Sequence, residues 1–314
     1  MDRSGGEQPE ALDQRLDDTG GLRIGVVTVT YNSAVVLPDF IASVARQADV
    51  DFKVYVIDNA SQDGSADIVA GNSDERYALI RNDANRGVAA ANNQGIQCAL
   101  KDGCSYVLLL NNDTTFERGF FKRLLREAVS GGYPIVVPKI HYFDQPEKIW
   151  CAGGGLYRLR GYSTWHRGEG ETDTGQFDSA GPIVYAPTCC MLIRDRVFSI
   201  VGLMDERYFV YYDDTDFVLR CRRAGIDIWY CPAASMRHKV SSLTGGGKSD
   251  FTLRMMTRNK IYFMKKHMPR VAFIPYALTY MLYLWARWVF GRDSWNVLLV
   301  RLRAAFDGLR LHTT

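Results

Sequence analysis

The chain has 314 residues, 47% of them hydrophobic and 23% charged, which excludes a disordered or fibrous protein and allows one large domain or a domain with an appendage. The formal net charge is +3, but it is unevenly distributed. The segment from Phe251 onward contains eleven Lys or Arg and two Asp, a net charge of +9, so the preceding residues have a net charge of −6. A basic, aromatic-rich C-terminal segment on an acidic body predicts an anionic surface as its partner.

The cysteines and the N-terminal segment point to a cytoplasmic protein. None of the seven cysteines belongs to a Cys-x-x-Cys pair or shows metal-ligand spacing, so we expect reduced thiols and no zinc site. Residues 1–20 are rich in Gly, Asp, Glu and Gln and have no apolar core. This composition predicts a disordered lead-in and not a signal peptide.

The first half of the chain alternates apolar strands with helical patterns. The predicted strands are Ile24–Val29, Phe52–Ile57, Tyr77–Ile80 and Tyr106–Leu110, and the helices between them begin after Ser33, after Gly64 and at Val88. We expect Ser33 to cap the first helix. This alternation is typical of an α/β domain with a parallel sheet and right-handed crossovers.

Polar residues follow each of these strands, and the carboxyl ends of parallel strands share one edge of the sheet, where open α/β sheets bind ligands. These residues are Thr30–Ser33, Asp58–Ser61, Asn82 with Asn85, and Asn111–Asp113. Asp58 either caps the next helix or accepts hydrogen bonds from a base or ribose. No Gly-x-Gly-x-x-Gly or Gly-Lys-Ser/Thr loop is present, so a metal near Asp113 is the expected counter-charge for phosphates.

The second half begins with a predicted helix over 117–130 and continues with strands over 135–138, 148–157, 183–193 and 228–231, with a polar loop over 158–180. Its densest stretch places Asp213, Asp214 and Asp216 at the start of a helix that stops at Gly225. Three carboxylates could complement the helix dipole, but one or two would suffice for that. We therefore favour a functional site, in which a cation, a substrate hydroxyl or arginines stabilise the three carboxylates.

A basic helix is predicted to end by Pro269, and a largely apolar, aromatic segment follows over 271–290. That segment is about as long as a bilayer is thick, yet Pro275 and Arg287 interrupt it. We favour a helix lying in the membrane interface over a true span. A packed helical hairpin or an oligomer contact would explain the apolar face but not the basic surplus.

Six motifs in register resemble those of the family 2 glycosyltransferases, whose nucleotide-sugar-binding α/β fold is called GT-A. The resemblance covers about residues 23–238. The motifs are Thr30-Tyr-Asn32, Asp58-Asn-Ala-Ser-x-Asp63-Gly-Ser, Asn85-x-Gly87-x-Ala-x-Ala-Asn92-x-x-Gly95, Asn111-Asn-Asp113, Gly-x-x-Asp205-Glu with Asp213-Asp214-x-Asp216, and His238.

The resemblance implies a role for each matching residue. The nucleotide-sugar-binding set would be Thr30, Tyr31, Asn32, Asp58, Asn85, Gly87, Asn92, Asn111 and Asn112. Asp113 would be the main ligand of Mg²⁺ or Mn²⁺, with His238 as a second metal contact. Asp214 would be the general base beside Asp213 and Asp216. Asn111 stands where the family has an acid, and Asp213 where it usually has Glu.

The chemistry implied is an inverting, metal-dependent transfer from a nucleotide-diphospho-sugar to an acceptor hydroxyl. The motif Arg258-Asn259 with Lys266-His267-x-Pro269 also resembles the sequences of bacterial rhamnosyltransferases that act on polyprenyl-diphosphate-linked saccharides. We therefore favour dTDP-rhamnose as donor, a lipid-linked acceptor in surface polysaccharide assembly, and a place on the inner face of the cell membrane, with homo-oligomers possible. A UDP-sugar donor (galactofuranose, glucose or an N-acetylhexosamine) and a non-catalytic sugar-nucleotide-binding scaffold are the alternatives. Nucleic acid is not an expected partner.

The same reasoning divides the chain into three parts: a lead-in over 1–20, a GT-A domain over 21–250 and a membrane-associating helical region over 251–314.

Overall fold

The computed structural model of the chain describes residues 21–157, 161–240 and 249–313. The predicted lead-in over 1–20 lies outside the described residues.

The described residues form an α/β body followed by three long helices. The strands are β1 (Arg23–Thr30), β2 (Asp51–Asp58), β3 (Tyr77–Arg81), β4 (Tyr106–Leu110), β5 (Thr114–Phe116), β6 (Ile135–Tyr142), β7 (Ile149–Cys151), β8 (Gly154–Tyr157), β9 (Ser163–His166), β10 (Gly181–Ile183), β11 (Cys190–Arg194) and β12 (Ile228–His238). The α-helices are α1 (Leu37–Ala45), α2 (Ser65–Ala70), α3 (Val88–Lys101), α4 (Phe120–Ser130), α5 (Asp195–Val201), α6 (Asp213–Arg223), α7 (Asp250–His267), α8 (Arg270–Val289) and α9 (Trp295–Arg310). A 3₁₀ turn covers Glu206–Tyr208.

Ten of the strands form one mixed sheet whose main path runs β10-β12-β6-β11-β4-β1-β2-β3. The four strands predicted from the first half, β1 to β4, pair in parallel as expected. Strand β11 enters antiparallel between β4 and β6, while β12 runs parallel to β6. The prediction of an α/β fold is therefore confirmed, and the second half adds the antiparallel part of the sheet.

Helix α3 lies unusually close to β1, because two glycines remove side chains from the contact. A Cβ on Gly25 would lie 2.4 Å from the Ala99 Cβ, and one on Gly95 would lie 2.3 Å from Val27 Cγ1. The small-residue pattern of α3 therefore has a packing cause. It lets the helix bring its amide side chains to the carboxyl edge of the sheet.

Gly95→Ala is expected to lower the free energy of unfolding by about 1–3 kcal/mol, because the added methyl must displace the buried Val27. Urea denaturation measures this change. Gln97→Ala, on the exposed face of the same helix, is the matched control. An unfolding free energy for Gly95→Ala equal to that of Gln97→Ala would contradict the close packing.

Four local predictions were wrong. The span 148–157 is not one strand, because β7 ends at Cys151 and β8 begins only at Gly154. The span 183–193 is not one strand, because β10 ends at Ile183 and β11 begins only at Cys190. The span 158–180 is not all loop, since β9 pairs antiparallel with β8. Ser33 does not cap α1, whose N-cap residue is Val36, because the Ser33 hydroxyl is instead hydrogen-bonded to the backbone N–H and C=O of Tyr31, both at 3.3 Å.

The C-terminal helices α7, α8 and α9 form a packed group, with α9 lying along α7. The predicted end of the basic helix by Pro269 is confirmed, and the apolar segment that follows is helical with Pro275 inside it. Among the described residues, no helix is both long and apolar enough to cross a membrane. The predicted division at residue 250 coincides with the start of α7 and stays a prediction.

Candidate functional site

The carboxyl ends of β1, β2 and β4 bring three of the predicted donor-binding residues together. Thr30 and Asp58 are Cα partners in the β1–β2 register, and both are buried. Asn112 follows β4, and its Nδ2 donates to Val29 O (2.9 Å) and Thr30 Oγ1 (3.1 Å). Asn112 therefore ties β4 to β1 through its side chain.

The Asp58 carboxylate lies at the bottom of this edge. Its Oδ2 accepts from the Ser61 backbone N–H at 3.2 Å, in the loop before α2, whose N-cap residue is Gly64, so Asp58 does not cap that helix. Its Oδ1 is buried and has no hydrogen-bond partner in the part of the chain that the structure describes. Because a buried carboxylate oxygen normally has a donor, a ligand hydroxyl or N–H is the expected partner. Of the two predicted roles of Asp58, the structure contradicts helix capping, and hydrogen bonding to a ligand stays a prediction.

Tyr31 and Asn32 lie on the exposed rim of the edge. Asn32 has a left-handed backbone (φ 50°), its Oδ1 accepts from Gln62 N (2.9 Å), and its own N–H donates to Ser61 Oγ (3.0 Å). These contacts join the loop after β1 to the loop after β2. Tyr31 is 44% exposed, so its ring is accessible to a ligand.

The predicted residues around α3 are largely engaged in holding the protein together. Asn85 Oδ1 accepts from Gly87 N at 2.9 Å, and Asn92 is buried with its Nδ2 at 3.7 Å from Met204 Sδ. The neighbouring Asn93, which the sequence did not single out, donates to Met204 O and Glu206 Oε1, both at 2.9 Å. These contacts anchor the 203–206 segment to α3.

Asp113 and His238 form the candidate metal centre. Strand β5 pairs antiparallel with β12 so that Thr114 is the Cα partner of His238, which places His238 beside Asp113. His238 Nε2 lies 3.1 Å from Asp113 Oδ1, and both side chains are buried. His238 Nδ1 is buried and has no hydrogen-bond partner among the described residues.

Asp113 and His238 would supply only part of the ligands that Mg²⁺ or Mn²⁺ needs. The described residues contain no cluster of three or more His, Cys, Asp or Glu side chains that could hold a metal. Asn111 is exposed at the surface of the same edge, so its amide oxygen is accessible. Divalent cations that bind substrate phosphates use one or two protein carboxylates and take their other oxygens from phosphate and water. Asp113 and His238 fit that type of site.

An aromatic cluster that the sequence did not reveal extends from the metal centre toward the acidic motif. The Trp150 ring centroid lies 4.6 Å from that of His238 and 4.7 Å from that of His166, and the His166 ring lies 6.1 Å from that of Tyr185. Burial lowers the pKa of His166. Tyr185 falls in the segment misread as strand, and nothing in its sequence neighbourhood marks it as functional.

Tyr185 binds Asp214 directly. Its hydroxyl donates to Asp214 Oδ2 at 2.5 Å, and burial together with the Asp214 charge raises the pKa of Tyr185 well above its usual value. Asp214 Oδ1 accepts from the backbone N–H of Thr215 at 2.6 Å. Asp214 is only partly buried. Its carboxylate is therefore oriented by fixed donors and accessible from solvent, as a general base requires.

Asp213 differs from its neighbour because it is buried. Burial, followed by repulsion from Asp214, raises the pKa of Asp213 to about 7. Two adjacent carboxyl groups in unlike environments are typical of catalytic sites, where one of them stays ionised.

We expect the stability of the protein to depend on pH through Asp213. Its pKa is about 7 in the folded protein against 3.8 in the unfolded chain, so its contribution is fully present below about pH 4 and is lost as the pH rises through about 7. Asp213→Asn should remove this dependence and be the more stable protein above about pH 7, by on the order of a few kcal/mol. Urea unfolding across this pH range measures it, with the exposed Asp83→Asn as control. Parallel pH profiles for wild type and Asp213→Asn would contradict the assignment.

Asp216 lies in a buried ionic network between α6 and α7. Its Oδ1 accepts from His267 Nε2 (2.7 Å), Lys266 Nζ (2.8 Å) and Tyr208 OH (3.2 Å), and its Oδ2 accepts from Arg220 Nε (2.8 Å). Although burial alone would raise the pKa of Asp216, the hydrogen bond from His267 and the charges of Arg220 and Lys266 hold it well below its usual value. Protein donors thus occupy both its oxygens. The structure gives Asp216 a place in the scaffold behind the Asp213–Asp214 pair.

A cleft of about 490 Å³ opens beside the candidate metal centre. Its walls are formed by Tyr142, Phe143, Asp144, Gln145, Lys148, Gly170, His238 and Val240. The cleft gives a saccharide-sized ligand access to His238.

The chain belongs to glycosyl transferase family 2, whose sequence profile matches residues 25–201. Its enzyme class is therefore glycosyltransferase. The sequence is 28% identical over 221 residues, 69% of either chain, to the dTDP-rhamnosyl transferase RfbF of Shigella flexneri. It is also 28% identical over 241 residues, 70% of this chain and 77% of the other, to an N-acetylglucosaminyl-diphospho-decaprenol L-rhamnosyltransferase of Mycobacterium tuberculosis. The predicted family and its rhamnosyltransferase-like character are confirmed.

The predicted GT-A fold is confirmed as well. A crystal structure of GalNAc-T7 with UDP, GalNAc and Mn²⁺ superposes with a TM-score of 0.59 over 77% of this chain and 50% of that one. The two sequences are 16% identical, so the likeness concerns the fold alone.

Proposed function

We propose that this glycosyltransferase is an inverting, metal-dependent rhamnosyltransferase that uses dTDP-rhamnose and a polyprenyl-diphosphate-linked saccharide. The observation that carries the proposal is the continuous arrangement of Asp113 and His238, the aromatic cluster around Trp150, and Asp214 held by Tyr185. The names of the Shigella and Mycobacterium relatives favour rhamnose as the sugar. The Mycobacterium relative's name includes a lipid-linked saccharide.

Asp58, Thr30 and Tyr31 would bind the base and ribose, the first through the buried carboxylate oxygen that has no protein donor among the described residues. Asp113 and His238 would hold Mg²⁺ or Mn²⁺, which would offset the negative charge that develops on the departing diphosphate. Asn111, exposed beside them, would contact the donor phosphates or sugar. The division into a GT-A domain over 21–250 and a helical region over 251–314 is part of the same proposal.

Asp214 would act as the general base. It accepts the proton of the acceptor hydroxyl while that oxygen attacks the anomeric carbon, and the bond to the diphosphate breaks on the opposite face. Tyr185 stays neutral and donates to Oδ2, so it fixes the carboxylate without removing its charge. Each carboxylate oxygen has two acceptor sites, which leaves room for the substrate proton.

The C-terminal helices would bind the inner face of the cell membrane, where a lipid-linked acceptor is found. Helix α8 exposes large apolar side chains at helical spacing, which are Val271, Ile274, Leu278, Leu282, Trp285 and Val289. Exposed apolar and aromatic side chains together with a basic surplus are typical of helices that lie in the membrane interface.

Vesicle sedimentation tests this surface. The protein should bind anionic vesicles in a salt-sensitive manner and should not bind DNA, and the double variant Leu278→Glu, Leu282→Glu should lose vesicle binding. The matched control Val35→Glu changes an exposed valine on the α/β body. Equal binding by the double variant and the control, or binding to DNA, would count against the proposal.

A calorimetric panel of dTDP, UDP and GDP, each with and without Mn²⁺ or Mg²⁺, tests the donor. Metal-dependent preference for dTDP is expected. Preference for UDP would move the assignment to a UDP-sugar transferase, and no binding would favour a non-catalytic scaffold. Asp113→Asn should lose the metal dependence, because Asn111 and Asn112 already lack charge and no other carboxylate follows β4 directly.

A further inference from the structure

Residues 208–212, called the aromatic loop below, lead directly into Asp213 and Asp214. Three of these residues have a left-handed backbone, namely Phe209 (φ 64°), Tyr211 (φ 66°) and Tyr212 (φ 67°). Residues other than glycine avoid this region, at a cost on the order of 1–2 kcal/mol each. Such a conformation persists only where the surrounding structure imposes it.

Helix α7 supplies the donors that hold the aromatic loop. Asn259 is fully buried, and its Nδ2 lies 2.8 Å from Tyr208 O, 2.7 Å from Val210 O and 2.8 Å from Tyr211 O. Arg258 Nη2 donates to Arg207 O (2.8 Å) and Tyr208 O (2.7 Å). Two adjacent side chains thus satisfy the carbonyls that the left-handed turns point toward α7.

Helix α3 holds the same loop from its other side. The Val88 backbone N–H donates to Phe209 O at 2.6 Å, and a Cβ on Gly87 would lie 2.6 Å from that oxygen. Gly87, with φ +83°, therefore leaves space for the loop. The loop is fixed between the donor-side helix α3 and the C-terminal helix α7.

We propose that Asn259 and Arg258 are positioning residues for sugar transfer, acting through the aromatic loop on the direction of the Asp214 carboxylate. The inference rests on the proposed role of Asp214 as base. It assigns a catalytic task to α7, which lies outside the matched residues 25–201. The C-terminal region would then orient the proposed catalytic base, in addition to binding any surface.

Asn259→Ala tests the proposal, with kinetics and limited chymotrypsin digestion as readouts. A base misplaced by about 1 Å costs on the order of 10²-fold in rate, so kcat should fall by roughly that factor. The donor KM should stay within about twofold, because the Asn259 amide donates to carbonyls of the aromatic loop, whereas Thr30 and Asp58 lie at the ends of β1 and β2. Chymotrypsin cleaves after Tyr and Phe, and it should cut the variant within 208–212 while wild type resists there. Met256→Ala, on the exposed face of the same helix, is the matched control and should behave as wild type.

Arg258→Ala gives a second test should Asn259→Ala not fold, since Arg258 is only partly buried. Arg258→Lys keeps a donor and should recover part of the lost kcat. Wild-type kcat together with wild-type resistance to chymotrypsin would overturn the proposal, as would equal loss of kcat and donor binding. If Asp214→Asn stays active, the base assignment fails, yet the digestion pattern still reports on the loop by itself.

Discussion

Asp214→Asn is expected to lower kcat for sugar transfer by about 10²–10⁴-fold, the usual contribution of a positioned general base. The amide keeps the shape of the carboxylate and can still accept from Tyr185, but it cannot take the acceptor proton. Donor affinity should not change, because Asp214 lies at the start of helix α6, whereas Asp58 ends β2, His238 ends β12 and Asp113 directly precedes β5. Initial rates at saturating donor and calorimetry with the nucleotide measure the two quantities separately.

Tyr185→Phe is the companion to this experiment. It removes only the hydroxyl that donates to Asp214 Oδ2, so a smaller fall in kcat is expected. Loss of donor binding in Asp214→Asn, with the rate per bound donor unchanged, would refute its role as base.

Asp216→Ala is expected to lower the free energy of unfolding by about 3–5 kcal/mol, because it removes the negative partner of a buried ionic network. The variant would keep the three other members of the network but remove the carboxylate that they contact; these members are Arg220, Lys266 and His267. Arg223 Nη1 lies 2.8 Å from His267 Nδ1 and can only donate, so the ring proton of His267 is on Nε2 and points at Asp216. The network therefore depends on Asp216 as its acceptor.

Urea denaturation measures this loss. Asp67→Ala is the matched control, since it breaks the exposed ion pair of Asp67 with Arg81 and should cost about 0–1 kcal/mol. A cost for Asp216→Ala as small as that of Asp67→Ala would show that the network does not stabilise the fold.

The first half of the fold could be predicted because its strands are continuous apolar runs. Tyr106–Leu110 is buried at every position and has the bounds that its pattern predicts. The segment 183–193 was misread because its apolar residues continue through a turn between β10 and β11, so hydrophobicity alone does not locate the break. Strand β9 has polar residues and only partial burial, and it pairs within a two-stranded sheet, which explains why no apolar pattern marks it.

The site could be predicted where residues follow strands directly, as Asp58 and Asp113 do. Tyr185 and Asn259 could not, because their contacts with Asp214 and the aromatic loop arise from tertiary packing across 29 and about 50 residues of chain. The acidic motif looked like one working cluster in sequence. Helical geometry separates it, because Asp216 faces α7 while Asp214 faces Tyr185.

The most direct test of the proposed function is transfer from dTDP-rhamnose to a polyprenyl-diphosphate-linked N-acetylglucosamine in anionic vesicles, with the anomeric configuration of the product read by NMR. The account predicts Mg²⁺- or Mn²⁺-dependent formation of a rhamnosyl product whose configuration is opposite to that of the donor. A product with retained configuration, or equal turnover in the presence of a chelator, would contradict it.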